Sequence, residues 1–388
     1  MKNKFLIILF LSFFICGCGN YRELNNMAIV TGISIDKNNS NYELSVLIAN
    51  SPKAQTSSKE GEAQTTVYSA SGNTIAEAVQ NIGYKSPKKL YFGHINIIVI
   101  SEEVGKSGFL NIADYFFRTF EARKKFFIIQ TRDDKAKDIL KIISPLESFP
   151  SQSIATLLKS NQETQSIIKD SDYSTFISKI LAKGYDPTLP VINVSGKVSE
   201  GKTSKNIEST EPKAFLKLNS IAIYRGDKFQ GYVTLKDGEI ISLINGGSEL
   251  QTCFKYQNSY VCFKSEDVRT KFSINNSNSA TLNIEGNGDI TEINGKENLQ
   301  KLKVIKNLEN KLNDSVKNNV LKTINKMKYQ YHADVFGFGN KIYKKYPLKW
   351  QGTNWNEKHF PNLNINIKTK LSINSAGALD KTIKEVKS

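Results

Sequence analysis

The sequence predicts an α+β protein built from mixed α/β domains, in which sheets are flanked by helices. In the first half of the chain, short β-branched or aliphatic runs alternate with helical segments. The 388 residues, 39% of them hydrophobic, are enough for two or three domains with their own cores. Near the carboxyl end, one long apolar stripe predicts a helix of about 30 residues, roughly 45 Å long.

The amino-terminal half alternates strands and helices in a regular order. Residues 28–36 and 42–49 form a predicted hairpin around a polar turn, and 51–66 a solvated loop without large apolar residues. A capping box from Thr74 to Glu77 begins a helix. The remaining elements are a nearly continuous strand at 90–101, a helix at 108–123, a strand at 124–131 and a helix at 134–143.

The carboxyl-terminal half follows a polar segment, 199–213, which we interpret as a linker. Strands are predicted near 215–224 and 229–234, with a short helix around 237–243 and further strands after it. The long helix has one apolar face, and the strand at 363–373 can cover part of it. The members of that face are Leu302, Ile305, Leu308, Leu312, Val316, Val320, Ile324 and Met327. The predicted regions are 1–17, 18–198, the linker 199–213, a middle β-rich domain 214–293, and 294–388, which holds the long helix and terminal strand.

The first residues resemble an export signal. The apolar run at 5–15 is eleven residues long, shorter than the roughly 20 that a helix needs to cross a bilayer. Lysines precede it and Gly17 follows it, as in a signal peptide. The run Ile15-Cys16-Gly17-Cys18 resembles a bacterial lipobox, which predicts Cys18 as the lipid-bearing first residue of the mature chain. A redox Cys-x-Cys pair and a plain secretory signal remain the alternatives.

The formal net charge is +16. The lysines are scattered singly among Asn, Ser and Thr, without an Arg-rich block or a base-stacking motif, and an exported protein does not meet the chromosome. We therefore exclude nucleic acid as a partner. The charge is either a solvated surface or an aid in lying against anionic lipid. An extended tether from Cys18 to Ala28 reaches at most about 35 Å, which keeps the body near the bilayer.

Residues Gly196 to Thr203 match the phosphate-loop pattern G-x4-G-K-[ST] in full. A working phosphate loop opens a helix whose N–H groups bind the phosphates. The segment after Thr203 has one large apolar residue before Pro212, which does not predict a packed helix. We therefore expect a basic loop and no nucleotide.

Catalytic and metal-binding patterns are also missing from the sequence. The three histidines, His94, His332 and His359, lie far apart without partners at metal-ligand spacing. His94, inside the predicted strand at 90–101, is interpreted as a hydrogen-bonded structural group in preference to a catalytic base. We expect a non-enzymatic protein with no cofactor and no metal.

Two small clusters remain. Arg118 and Glu121 are one helical turn apart and Arg123 follows at the helix end, which indicates a structural ion network or a contact with a partner. Cys253 and Cys262 bracket an eight-residue segment. A tight turn at its centre places the two cysteines opposite each other, within disulfide range. Export permits oxidation, and two reduced, buried cysteines remain the alternative.

Taken in order, these stretches resemble the Ger(x)C spore germination lipoproteins, the C subunits of nutrient germinant receptors. After Cys18, "RELNNMAIVTGISID" is similar to the family's opening strand, although Gly19 stands where a Trp is common. "KKLYFGHINIIVISEEVGKSGF" resembles its His-bearing strand, and "FFRTFEARKK" its R-D-x-E-x-R helix, with Thr119 in place of Asp. "GYDPTLPVI", "IAIYRGDKFQGYVTLKDG" and "ADVFGFGNKIYKKYPLKW" resemble its D-P-x-x-P junction, its hairpin and its D-x-x-G-F-G segment.

The resemblance implies three mixed α/β domains and a lipid anchor on the outer face of the inner spore membrane. It implies a receptor shared with integral membrane A and B subunits, in which germinants such as amino acids trigger release of ions and dipicolinate. It also implies structural or contact roles for His94, Arg118, Glu121, Arg123, Asp334, Gly337 and Gly339.

Two functions remain open. One is a non-catalytic receptor subunit that acts through contacts with integral membrane proteins. The other is a free-standing exported lipoprotein that binds a ligand.

Overall fold

The computed structural model describes residues 26–50, 63–118, 125–147, 149–165, 167, 171–295, 297–350 and 354–375. Cys18, Glu121 and Arg123, and the predicted signal peptide, lie outside these residues. Within the described part, no helix combines the length and the apolar character needed to cross a membrane.

The first sheet in the described residues has nine strands. Strands β1, β5, β6 and β7 run parallel at its centre, with short β4 also parallel to β1. Antiparallel neighbours β2 and β3 extend one side, and β8 and β9 extend the other. The bounds are β1 Met27–Asn38, β2 Asn41–Ala49, β3 Thr65–Gly72, β4 Lys89–Tyr91, β5 Ile97–Ile100, β6 Phe127–Gln130, β7 Thr188–Gly196, β8 Ala214–Arg225 and β9 Lys228–Val233.

The second sheet has five strands within the part of the chain that the structure describes. β13 is the longest and pairs antiparallel with β11 and β12, while β10 pairs with β11. The last strand, β14, runs parallel to β13 although some seventy residues separate them in the chain. The bounds are β10 Leu250–Tyr256, β11 Ser259–Ser265, β12 Arg269–Asn276, β13 Ser279–Asn294 and β14 Asn364–Ser375.

Helices cover both sheets. Their bounds are α1 Ile75–Gly83, α2 Glu102–Ser107, α3 Leu110–Arg118, α4 Ala136–Ile139, α5 Pro150–Gln165, α6 Tyr173–Leu181, α7 Val198–Gly201, α8 Leu235–Ile244, α9 Leu302–Lys326, α10 Phe338–Lys345 and α11 Phe360–Asn362. Single π-helical turns lie at Met327–Tyr331 and Trp355–His359, and 3₁₀ turns at Ser204–Asn206 and Pro347–Lys349. The mixed fold predicted from the sequence, with sheets flanked by helices, is confirmed.

The central strands are buried on both faces, which explains their unbroken apolar sequence. In β5, Ile97 and Val99 belong to one core cluster, and Ile98 and Ile100 belong to another on the opposite face. The cluster that holds Ile97 continues through α8 into the second sheet. The two sheets therefore share one hydrophobic core.

The long helix α9 packs against β14 and β10, as its apolar stripe predicts. Its buried apolar residues are Leu308, Leu312, Val316, Val320 and Ile324. Leu302, at the start of the predicted stripe, is 86% exposed, whereas Val304 and Ile305 in the same turn are partly buried against the core. Met327 is buried in the π-helical turn that follows.

Two details of the predicted organisation differ in the structure. The segment 199–213 does not separate two sheets, because β7 before it and β8 after it are antiparallel neighbours. The strands predicted at 215–224 and 229–234 accordingly complete the first sheet and do not belong to the second.

The prediction of one nearly continuous strand at 90–101 is also wrong. It is interrupted between Tyr91 and Ile97 by a turn at Gly93 and His94. Asn96 N–H donates to the carbonyl of Thr31 at 2.8 Å, so the chain re-enters the sheet at that point.

Candidate functional site

The polar centre of the molecule is a junction between two segments far apart in the chain. Asp186 lies in the loop before β7, and Asp334 lies in the turn between α9 and α10; their exposures are 5% and 0%. The Asp186 N–H donates to the Asp334 carbonyl at 2.9 Å, and the Asp334 N–H donates to Asp186 Oδ2 at 2.8 Å. We call this pair the aspartate junction.

The Asp334 carboxyl group organises the turn that contains it. Its Oδ1 accepts from Phe336 N and Phe338 N, both at 3.2 Å. Its Oδ2 accepts from Gly339 N at 2.7 Å and from the indole Nε1 of Trp355 at 3.0 Å. The side chain therefore satisfies the free amides at the start of α10, as a capping residue does, and also holds Trp355 in place.

Asp186 connects three parts of the chain. Its Oδ1 accepts from Gly226 N, in the β8–β9 turn, at 2.7 Å. Its Oδ2 accepts from the Asn356 side-chain amide at 2.8 Å, in addition to Asp334 N. The first sheet, the turn before α10 and the 355–359 turn thus meet at one carboxyl group.

Burial shifts the proton affinity of both carboxyl groups. Burial, together with a smaller effect of the nearby Asp186, raises the pKa of Asp334 to about 7, against the opposing effect of its N–H donors. Burial also raises the pKa of Asp186 above its ordinary value, while its amide donors and Arg225 oppose that shift. Since each carboxyl oxygen accepts from internal N–H groups, the site is suited to holding segments together and poorly suited to proton transfer with a ligand.

Two glycines allow the segments to cross in close contact. Gly184 has a φ of +64°, and a Cβ added there would lie 2.8 Å from Gly339 Cα and 2.6 Å from the Trp350 ring. A Cβ on Gly339 would lie 2.5 Å from the Trp355 ring. The backbone crossing therefore requires glycine at both positions. Gly337, the third residue singled out in this segment, has a φ of +69° and precedes α10.

A cleft of about 300 Å³ opens beside the junction. Tyr185, Asp186, Trp355 and Asn356 line it, and an ion pair between Arg225 and Glu357, at 2.5 Å, stands at its side. The Asn356 Oδ1 atom is buried and has no hydrogen-bond partner. In the described part of the chain, no group of three His, Cys, Asp or Glu side chains is arranged to hold a metal ion.

The other residues singled out in the sequence do not join this site. His94 is exposed in its turn, where its ring makes an edge contact with Tyr91 at 5.8 Å. Arg118 is exposed and pairs with Asp114 at 2.7 Å. Glu121 and Arg123, the other members of its predicted cluster, lie outside the described residues.

Cys253 and Cys262 lie directly opposite each other in the β10–β11 hairpin. Their Sγ atoms are 2.07 Å apart and joined as a disulfide, with Cα atoms at 4.0 Å. This bond joins neighbouring strands of the second sheet.

The segment that matches the phosphate-loop pattern connects β7 to β8. It holds the four-residue helix α7, which ends at Gly201, before the pattern's Lys202. A 3₁₀ turn follows at Ser204–Asn206. This order differs from a phosphate loop, in which the helix begins at the pattern's lysine.

Sequence reasoning missed Asp186, Gly184 and Trp355 as members of the site. Asp186 and Gly184 stand in "GYDPTLP", and the signal available was an acidic residue directly before a proline and a strand. The partner, Asp334, is 148 positions away, and no periodicity in the sequence connects the two.

Comparison with known proteins identifies similar chains. The family model described as "Spore germination protein N-terminal domain" matches residues 20–194, and "Spore germination B3/GerAC like, C-terminal" matches 219–377. Spore germination protein KC of Bacillus subtilis (strain 168) is 27% identical over 394 residues, covering 95% of this chain and 94% of that protein. Spore germination protein GerQC of Bacillus cereus is 22% identical, covering 97% of this chain and all of that protein.

A solved structure shares the fold. The crystal structure of the GerBC protein matches with a TM-score of 0.53 and 15% identity, and covers 88% of this chain and 97% of that one. Asp186 lies inside the amino-terminal match, near its end at residue 194, and Asp334 lies inside the carboxyl-terminal match.

Proposed function

Because this chain belongs to the GerAC-like family of spore germination proteins, we propose that it is the lipid-anchored C-type subunit of a spore nutrient germinant receptor. The observation that carries the proposal is the extent of the likeness. Two family models account for residues 20–194 and 219–377, and the relatives match from end to end. The proposed anchor is a lipid on Cys18, at the outer face of the inner spore membrane, or at the cell membrane when the protein is made in vegetative cells.

In this proposal the subunit works through contacts with integral membrane A and B subunits and performs no chemistry. The aspartate junction supports such a role, because it fastens the turn before α10 to the edge of the first sheet with paired hydrogen bonds. A rigid body of this kind, tethered within about 35 Å of the bilayer, can brace or couple its partners.

The test is a deletion of the gene, followed by dipicolinate release from the mutant spores with each nutrient given singly. We expect sporulation and heat resistance to be normal, and germination to one nutrient class to be lost. Agents that bypass receptors serve as the control and should still trigger germination. Unchanged release with every nutrient, in a strain without a related receptor to compensate, contradicts the proposal.

The Cys18→Ala variant tests the anchor separately. Loss of the tether lowers the effective concentration of the subunit at its partners, so the same nutrient response should weaken. Cys16→Ala, which alters the neighbouring cysteine, is the matched control and should respond normally. Mass spectrometry of the mature amino terminus then shows directly whether Cys18 carries lipid.

The second candidate function is a free-standing ligand-binding lipoprotein, favoured by the cleft beside Asp186 and Trp355. At about 300 Å³ it is at the lower end of small-molecule sites. This alternative predicts two results. The purified protein should bind one of the single nutrients in a calorimetric titration, and the deletion strain should release dipicolinate normally with every nutrient.

A further inference from the structure

A basic and partly apolar surface is formed where the end of α6 meets α10. We call it the lysine–leucine patch, and its defining residues are Leu181, Lys183, Lys344, Tyr346, Leu348 and Lys349. The Asn340 side-chain amide donates to the Lys183 carbonyl at 3.2 Å, and Asn340 N donates to the Gly184 carbonyl at 2.9 Å. The Lys183 ammonium group lies 4.7 Å from the centre of the Tyr343 ring. These contacts place the two segments side by side.

The composition of the patch is unusual for a protein surface exposed to water. Leu348 is fully exposed and Leu181 is 69% exposed. The segments 176–184 and 338–350 together contain no acidic residue. Lys349 lies 5.9 Å from the Tyr346 ring, so an amphipathic ring stands beside the exposed leucine and a lysine. Aromatic rings and long basic side chains beside exposed aliphatic groups are the composition of surfaces that lie in a lipid interface.

The patch lies near the amino ends of the parallel strands of the first sheet, where the described chain also begins. Strands β1, β5, β6 and β7 are parallel, so their amino ends share one edge. The loop with Lys183 leads into β7, and the chain enters β1 at Met27. Three strand spacings separate β1 from β7, roughly 15 Å. Lys88 and Lys89, at the start of β4, and Lys125, before β6, add exposed positive charge near these strand ends.

We propose that the lysine–leucine patch lies on the surface of an anionic phospholipid bilayer, with its lysines at the headgroups and Leu348 and Leu181 in the interface. This rests on the proposed function for the tether that brings the body to the membrane. Each lysine near anionic lipid contributes to attraction, and the two leucines add apolar contact. An acidic protein is the weaker candidate, because lysine is depleted in protein–protein interfaces.

The first experiment measures binding to lipid vesicles. The full chain with Cys18→Ala, which carries no lipid, is sedimented with vesicles of phosphatidylcholine alone or mixed with phosphatidylglycerol. We expect binding that strengthens with phosphatidylglycerol and weakens with salt. The triple variant Lys183→Glu, Lys344→Glu, Lys349→Glu should bind at least tenfold more weakly, and Leu348→Ser a few-fold more weakly. The apolar stretch before Cys18 is the same in every variant, so the differences report on the patch.

The matched control changes three exposed lysines elsewhere by the same total charge. This control variant carries three substitutions on the outer face of α9, Lys306→Glu, Lys311→Glu and Lys317→Glu. It should bind the mixed vesicles much more strongly than the triple patch variant. Equal loss in both triple variants would mean a general charge effect and would overturn the proposal. Circular dichroism confirms that all variants are folded.

A second measurement locates the contact. The chain has two tryptophans, Trp350 next to Leu348 and the buried Trp355 behind it. Phosphatidylcholine with brominated acyl chains should quench their fluorescence in mixed vesicles with the unmodified patch, and should not with the triple patch variant. Vesicle binding without quenching overturns the proposal, because another surface then carries the contact.

These measurements are independent of the germination response. If the protein binds vesicles as expected but the deletion strain responds normally to every nutrient, the receptor role is rejected and the proposal that the patch binds lipid stands. Absence of vesicle binding, with co-purification of a membrane protein that the triple patch variant abolishes, rejects the lipid surface and assigns the patch to a protein partner.

Discussion

Asp237 and Asp334 are both buried, and each connects the first sheet to the carboxyl-terminal half. They differ in their partners, because Asp237 faces a lysine and Asp334 accepts hydrogen bonds only from neutral N–H groups. Asp237, in the first turn of α8, faces Lys326 of α9, whose Nζ lies 2.7 Å from its Oδ2. Thr323 and Thr234 also donate to it. The Asp334 carboxyl group accepts hydrogen bonds from three backbone amides and from an indole N–H.

The two carboxyl groups consequently shift in opposite directions. Burial acts to raise the pKa of Asp237, but Lys326 and the threonine hydroxyls outweigh it and hold that pKa below its ordinary value. At Asp334 burial dominates, and the pKa rises to about 7. Neutral N–H donors can thus position a buried carboxyl group without fully compensating its charge, whereas a lysine does both.

The largest effect is expected for Asp334→Ala. The substitution leaves four N–H donors without their acceptor, three of them buried backbone amides just before and at the start of α10. We expect the free energy of unfolding to fall by about 4 kcal/mol. Denaturant unfolding followed by circular dichroism measures it. Asp314→Ala, on the exposed face of α9, is the control and should change it by less than about 0.5 kcal/mol. Equal, small changes would show that the junction does not stabilise the fold.

Gly184→Ala tests whether the junction depends on the close backbone crossing. The added methyl group meets Gly339 Cα and the Trp350 ring at 2.8 and 2.6 Å, on a backbone with φ of +64°. We expect the free energy of unfolding to fall by about 3 kcal/mol, measured by denaturant unfolding. Gly226→Ala keeps the N–H that donates to Asp186 and is the matched control, since Gly226 also has a positive φ, +57°, but nothing lies within 4 Å of a Cβ added there. It should cost about 1 kcal/mol. Equal costs would assign the effect to φ alone.

The two aspartates should also differ in the pH dependence of stability. The folded pKa of Asp334 is raised, so its contribution is complete below the unfolded pKa near 4 and is lost as pH rises through about 7. Between about pH 5 and pH 8 this removes about 2–3 kcal/mol from the free energy of unfolding. Asp334→Asn should remove that part of the pH dependence.

Asp237→Asn is the comparison for that experiment. The folded pKa of Asp237 is lowered, so its contribution is present above the unfolded pKa and is lost only as pH falls through the folded pKa. The variant should therefore keep the wild-type slope between about pH 5 and pH 8. An unchanged slope in Asp334→Asn would show that Asp334 is ionised throughout this range.

The smallest effect is expected for Lys326→Met. It removes the cation that compensates Asp237 and leaves the threonine hydroxyls as donors. Because the Lys326 side chain is 30% exposed, we expect a loss of only about 1–2 kcal/mol, measured by denaturant unfolding. Lys322→Met, exposed on the same helix, should be neutral. A loss as large as that of Asp334→Ala would remove the distinction between the two sites.

Local patterns in the sequence predict much of the fold. Unbroken apolar runs indicate the central strands, and the stripe from Leu308 to Ile324 predicts α9 and its buried face. Strand partners are a different matter, since periodicity says which face is buried and not which strand lies beside it. For that reason β8 and β9, placed by sequence in a middle domain, belong to the first sheet.

The same limit applies to the site. The family resemblance of one local segment points to Asp334, Gly337 and Gly339, and each has a defined structural role in the turn before α10. Their partners Asp186 and Gly184 come from a loop about 150 residues earlier, brought close only by the complete sheet. His94 shows the opposite error, because an apolar run was read as continuous through a turn that exposes its polar residue.

The position of β1 has a mechanical consequence. The chain before Met27 continues into a strand that is hydrogen-bonded on both sides, to β2 on one and to β4 and β5 on the other. A pull on the amino terminus along β1 therefore loads many ladder hydrogen bonds in shear at once, because those bonds run across the strand direction. An edge strand such as β3, pulled outward, would instead peel one bond at a time. Force applied to the amino terminus is thus passed to the centre of the body before any part of it unravels.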